Sequence, residues 1–96
     1  MTQEKIKAET PQFVEFLDVV RRITEKDIDF TVGPKYIRVI TLGYGQRSAY
    51  CFVDRATGSV LKPASWKSPA PQPRGSILSA DRGADACTKY GVVYLR

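Results

Sequence analysis

"DIDFTVGPKYIRVITLGYGQRSAYCFVDRATGSVLK", residues 27–62, decides the fold. Ile28, Phe30 and Val32 alternate with Asp27, Asp29 and Thr31, the period of a half-buried strand, and Gly33-Pro34 ends it. In "KYIRVITL", Tyr36, Arg38, Ile40 and Leu42 fall on one side, and Ile37, Val39 and Thr41 on the other. β-branched residues dominate that run, which makes it a second strand. "GYGQR" reads as a hairpin loop in which Gly43 and Gly45 are free to take positive φ. "SAYCFVD" and "SVLK" are two further strands joined by "RATG", with Gly58 suited to the left-handed position of a short turn. The expectation is an antiparallel meander of four strands.

Upstream, the period changes to helical. Phe13, Phe16, Leu17, Val20 and Ile23 form one apolar stripe, with Glu15, Asp18, Arg21 and Arg22 elsewhere on the surface. Thr10 reads as an N-cap and Pro11 as the first helical residue, so the helix should run from Pro11 to Ile23 or Thr24. Residues 1–9 are polar and expected to fray. Downstream of Lys62, the proline-rich segment through Arg74 reads as an ordered loop of polyproline geometry. A short extended piece is expected at Ile77-Leu78, a short helix from Ala84 to Lys89 ended by Gly91, and a closing strand from Val92 to Leu95. The fold class is therefore α+β: one domain over residues 1–96, with one N-terminal helix on a mainly antiparallel sheet of four to five strands.

Several function classes are disfavoured by composition. No apolar run approaches the roughly 20 residues that span a bilayer, and the N-terminus lacks the apolar centre of a signal peptide. A cytoplasmic setting without membrane contact is expected, and with it free thiols at Cys51 and Cys87. There is no histidine, so the commonest general base is missing and a zinc site would have two soft ligands to draw on. Asp54 is the single carboxylate between residues 30 and 80, which rules out paired-carboxylate chemistry there. Neither an enzyme nor a metal or cofactor site is expected.

Charge points instead to an anionic ligand. The chain has a net charge of +5, yet residues 1–29 hold seven acids against five bases, while residues 30–80 hold one acid against seven bases. From Arg55 to Ala80 there is no carboxylate at all. Within that interval "LKPASWKSPAPQPRG", Leu61–Gly75, places the chain's one tryptophan between Lys62 and Lys67, with Ser65 beside it and Arg74 following. Trp66 is either a plug that holds the loop on the sheet or an exposed stacking platform ringed by cations. The candidate ligand-binding set is Lys62, Ser65, Trp66, Lys67, Arg74 and Arg55. The "GYGQRS" loop adds Tyr44 and Arg47, because exposed amides and an arginine there could hold a phosphate, although a plain hairpin turn is the better account of the glycines.

The string "FVDRATGSVLKPASWKSP....RGSI" resembles a group of small proteins found in tailed-phage genomes. Their shared core is a strand, an aspartate, a TG turn, then KPASWK.P and a later RG. Phe52, Val53, Asp54, Thr57, Gly58, Lys62, Pro63, Ala64, Ser65, Trp66, Lys67, Pro69, Arg74 and Gly75 match it. The resemblance implies action in the cytoplasm of an infected bacterial host cell. Together, these readings give three expectations. The first is a non-enzymatic phage-type protein capturing a phosphate-bearing, nucleotide-like small molecule, such as a host-defence signal, in a pocket that a second subunit of a homo-oligomer could complete. The second is a single-stranded nucleic-acid-binding protein. The third is a virion component or a protein that engages a host protein.

Overall fold

The computed structural model describes residues 6–43, 45–78, 82, 84, 87–88 and 91–92. Helix α1 (Pro11–Thr24) precedes strands β1 (Asp27–Val32), β2 (Tyr36–Gly43), β3 (Gln46–Asp54), β4 (Ser59–Pro63) and β5 (Pro69–Ser76). These five form one antiparallel, open sheet in the order β1-β2-β3-β4-β5, the connectivity of a simple meander. The α+β expectation holds, with the sheet at its five-strand limit.

Phe13, Phe16, Leu17 and Val20 of α1 pack on Ile37, Val39, Tyr50, Cys51, Val53 and Val60 from the central strands. Phe13 meets Phe30 edge-to-face at 5.4 Å. A bulge sharpens this packing: Val39 pairs with Cys51 but Ile40 with Ala49, leaving Tyr50 as the extra residue, and both Tyr50 and Cys51 are buried in the core. Pairing in register puts Arg38 opposite Phe52, and Phe52 opposite Leu61, on the face that α1 does not cover.

Five local expectations are corrected. Thr10 does not cap α1 with its side chain; its hydroxyl instead accepts the Lys7 amide at 2.8 Å. Ile6, within the stretch expected to fray, is buried and donates its backbone N–H to the Arg55 carbonyl at 2.7 Å. The proline-rich segment is not all loop: residues 69–76 are strand β5, and Pro63 pairs with Pro69. β5 is an edge strand, where the missing proline N–H groups are tolerated. The short helix near Ala84–Lys89 is replaced at Cys87–Thr88 (β6), which pairs with Gly91–Val92 (β7). A helix of under two turns has little stability of its own, and burying Cys87 in the core favours the extended pairing. Ile77-Leu78 is a turn rather than an extended piece; Ile77 is fully buried and donates to the Gly58 carbonyl at 2.9 Å. Gly58 takes the left-handed φ of 78° expected of it. A Cβ there would lie 2.9 Å from Leu78 Cγ. The remainder of the expected closing strand, Val93–Leu95, lies outside the described residues. No helix among the described residues is long and apolar enough to cross a membrane.

Candidate site on the uncovered face of the sheet

The β4–β5 hairpin is built around Ser65 and Ser68. The amides of Ala64 and Ser65 donate to the Ser68 carbonyl at 3.0 and 3.1 Å, closing a five-residue loop between the paired prolines. Ser65 Oγ accepts the amides of Lys67 and Ser68 at 3.3 and 3.2 Å. Hydroxyls that bond nearby backbone in this way stabilise turns. Ser65 is thus a turn-maker, and its bonds present Trp66 and Lys67 at the hairpin tip.

Trp66 is not a plug. It is 40% exposed, and its ring lies over the Arg38 guanidinium, 4.6 Å from ring centroid to Cζ. Arg38 also lies 5.9 Å from the Phe52 centroid, and its Nη1 donates to Thr31 Oγ1 at 3.3 Å. Phe52 in turn meets Tyr36 edge-to-face at 6.2 Å, and Lys35 Nζ sits 5.3 Å from the Tyr36 ring centroid. A cation held over aromatic faces gains about 0.5–1 kcal/mol when exposed and about 2 when desolvated. The arrangement therefore orients Arg38 without using a carboxylate.

Beside this stack lies a cavity of about 270 Å³. It is lined by the β1–β2 turn from Thr31 to Tyr36, by Arg38 and Phe52 of β2 and β3, and by Lys67 from the hairpin tip. Three cations line it, Lys35, Arg38 and Lys67, and no carboxylate does. Asp54, paired in register with Tyr36, turns its Oδ1 to the amides of Ala56 and Thr57 at 2.8 and 3.3 Å. Arg38 Nε is buried with no hydrogen-bond partner among the described residues. Leaving such a donor unsatisfied costs about 1–3 kcal/mol, more on a charged group.

The sequence-derived candidates separate in space. Lys67 lines the cavity; Trp66 does not, but its ring stacks on Arg38, which does, and Ser65 supports the turn that carries both Trp66 and Lys67. Arg55 is spent on the backbone: its Nε donates to the Ile6 carbonyl at 2.8 Å and its Nη1 to the Gly33 carbonyl at 2.7 Å. It braces the β1–β2 turn from behind and does not line the cavity. Arg47 pairs with Asp29 at 3.2 Å, five residues along β3 from Phe52, or roughly 16 Å at strand spacing. Lys62 follows Leu61, so strand alternation turns it toward the opposite face. Arg74 is the bulge residue between Pro73, opposite Leu61, and Gly75, opposite Val60. Neither Lys62 nor Arg74 lines the cavity. Tyr44 lies outside the described residues.

Lys35, Arg38 and Phe52 are not among the ligand-binding candidates read from the sequence. A signal for Arg38 existed: a lone cation between Tyr36 and Ile40 on one strand face is an unusual choice for a half-buried surface. Elsewhere, burial first and then the neighbouring Cys87 push the Cys51 thiol well above its ordinary range, which keeps it protonated and unreactive.

Residues 1–93 match the family of unknown function DUF7717. The chain belongs to that family. No curated protein and no solved structure matches it. The match spans the β1–β2 turn, β3 and the β4–β5 hairpin, so every residue of the cavity lies within the part shared with DUF7717.

Proposed function

We propose that this protein binds a phosphate-bearing, nucleotide-like small molecule at the cavity beside Trp66, without catalysing a reaction on it. The observation that carries the reading is the three-cation, carboxylate-free lining next to a partly exposed tryptophan. Cations satisfy the phosphate; an aromatic face stacks a base for roughly 1–3 kcal/mol. A volume of about 270 Å³ sits just below the usual range for small-molecule pockets, roughly 300–1,000 Å³, and suits one ring-and-phosphate unit. A single-stranded nucleic acid would need a longer basic track. Arg47, the next cation along β3, is instead engaged with Asp29. With the resemblance to tailed-phage proteins, the reading extends to sequestration of a nucleotide signal of host defence in an infected bacterium.

Titrating the full-length chain by calorimetry with mononucleotides, cyclic nucleotides and single-stranded oligonucleotides at two salt concentrations tests this. Saturable one-to-one binding of a nucleotide, with modest salt sensitivity, is the expected result. Affinity that climbs with oligonucleotide length and falls with salt at a slope of about −0.7 per phosphate contacted would move the function to strand binding. No binding of either class at tens of micromolar would leave a protein partner as the better account.

A further inference from the structure

Resting on that proposed function, we infer that the ligand's phosphate is a terminal monoester, bound as its dianion, rather than a diester. The charge lining the cavity is the first reason. Lys35, Arg38 and Lys67 come from three separate elements, the β1–β2 turn, β2 and the β4–β5 hairpin tip, and no carboxylate among the lining residues offsets them. A diester carries one negative charge and leaves most of that positive charge uncompensated. A phosphate monoester carries about −1.5 to −2 at pH 7 and three terminal oxygens, one for each cation.

The second reason is the state of Arg38. Rings of Trp66 and Phe52 lie near its guanidinium, and Thr31 takes one Nη1 hydrogen. Its Nε is buried and unbonded among the described residues. Arginine binds phosphate most strongly side-on, through two parallel N–H donors. An oxygen that reached Nε would satisfy the buried donor, and Trp66 is the exposed side chain that must shift for it to do so. Such a shift would carry the indole from the guanidinium onto the ligand's ring. A monoester has the unsubstituted oxygens for a side-on pair while keeping one for a lysine; a cyclic diester has two in all.

The prediction has a pH signature of the ligand's own making. The groups facing the cavity from each element are Lys35, Tyr36, Arg38 and Lys67, and the chain contains no histidine. Histidine is the side chain whose ordinary ionisation falls between pH 5 and 8. The second ionisation of a phosphate monoester falls near pH 6.

The test compares adenosine 5′-monophosphate, adenosine 3′,5′-cyclic monophosphate and inorganic phosphate by calorimetry on the full chain at pH 7.5 and pH 5.0, with uridine counterparts to separate ring from phosphate. The 5′-monophosphates are expected to bind at least about tenfold more tightly than the cyclic diesters at pH 7.5. They should lose about tenfold by pH 5.0, in step with the loss of dianion. Weaker binding of inorganic phosphate would show that the ring contributes as well, whereas equal binding would make the site a free-phosphate site and overturn the nucleotide assignment. Lys35→Ala, at an exposed turn position, should narrow the monoester–diester difference without unfolding the protein. Equal affinity for monoester and cyclic diester, both lost in Lys67→Glu, would overturn this inference while leaving nucleotide capture intact. No binding of any of these probes overturns both.

Discussion

Phe16→Ala is expected to lower the free energy of unfolding by about 3–5 kcal/mol, the usual cost of emptying a buried phenylalanine site. Phe16 is fully buried on the inner face of α1, in the same cluster as Val39, Cys51 and Val53 from the centre of the sheet. Neighbouring backbone belongs to hydrogen-bonded helix and strands, so the cavity has little freedom to collapse. Domains of this size are stable by about 5–15 kcal/mol, and each lost kcal/mol lowers the melting temperature by about 4–8 °C. The variant should therefore melt more than about 12 °C below the parent. Val14, on the outer side of the same helix, is 45% exposed, and Val14→Ala should change stability by no more than about 0.5 kcal/mol. Urea unfolding of both variants measures the contrast. Equal, small effects would mean that α1 is not docked as described.

Arg38→Ala separates binding from folding in the opposite sense. Among the described residues the side chain makes one hydrogen bond, to Thr31, and packs on two rings, while its removal also relieves the unsatisfied buried Nε, so the net cost in stability should be no more than about 1–2 kcal/mol. For the proposed nucleotide it supplies the guanidinium that lines the cavity, and a hydrogen bond from a charged group contributes about 1.5–3 kcal/mol. Affinity should fall about 10- to 150-fold, since each 1.4 kcal/mol is a factor of ten. Arg47→Ala, whose partner is Asp29 near the other end of β3, should bind as the parent does. Isothermal titration of the two variants decides it, and equal losses in both would place the ligand elsewhere on the sheet.

The contrast between α1 and the cavity also marks what the sequence could convey. Phe13, Phe16, Leu17 and Val20 repeat at the helical period and are buried as expected. The alternation in residues 27–62 gives four strands within a few residues of their observed ends. Both signals are local, because period and burial belong to the same element. β5 was harder to see: proline in every second position argues against a strand, and only the edge position beside β4 makes it tolerable. β6 was missed because its pairing with β7, whose Val92 falls within the expected closing strand, outweighed a weak helical preference.

For the site, sequence proximity was a partial guide. The acid-free interval holds Trp66 and Lys67, which the hairpin carries to its tip beside the cavity. It also gathered Lys62 and Arg55, which strand alternation and the Ile6 and Gly33 carbonyls direct elsewhere. Lys35 and Arg38 lie some thirty residues upstream and reach the cavity because β2 pairs with β3 and β3 with β4. Such a constellation depends on register, and a one-residue slip would have turned Arg38 toward α1.

An amide-resolved NMR titration with a 5′-nucleoside monophosphate tests the central claim most directly, because it locates the ligand without assuming its residues. Nucleotide capture at the cavity predicts shifts that saturate together and cluster at residues 31–38, at Phe52 and at residues 65–68. Shifts centred on the β2–β3 hairpin around Arg47, or on α1, would contradict it.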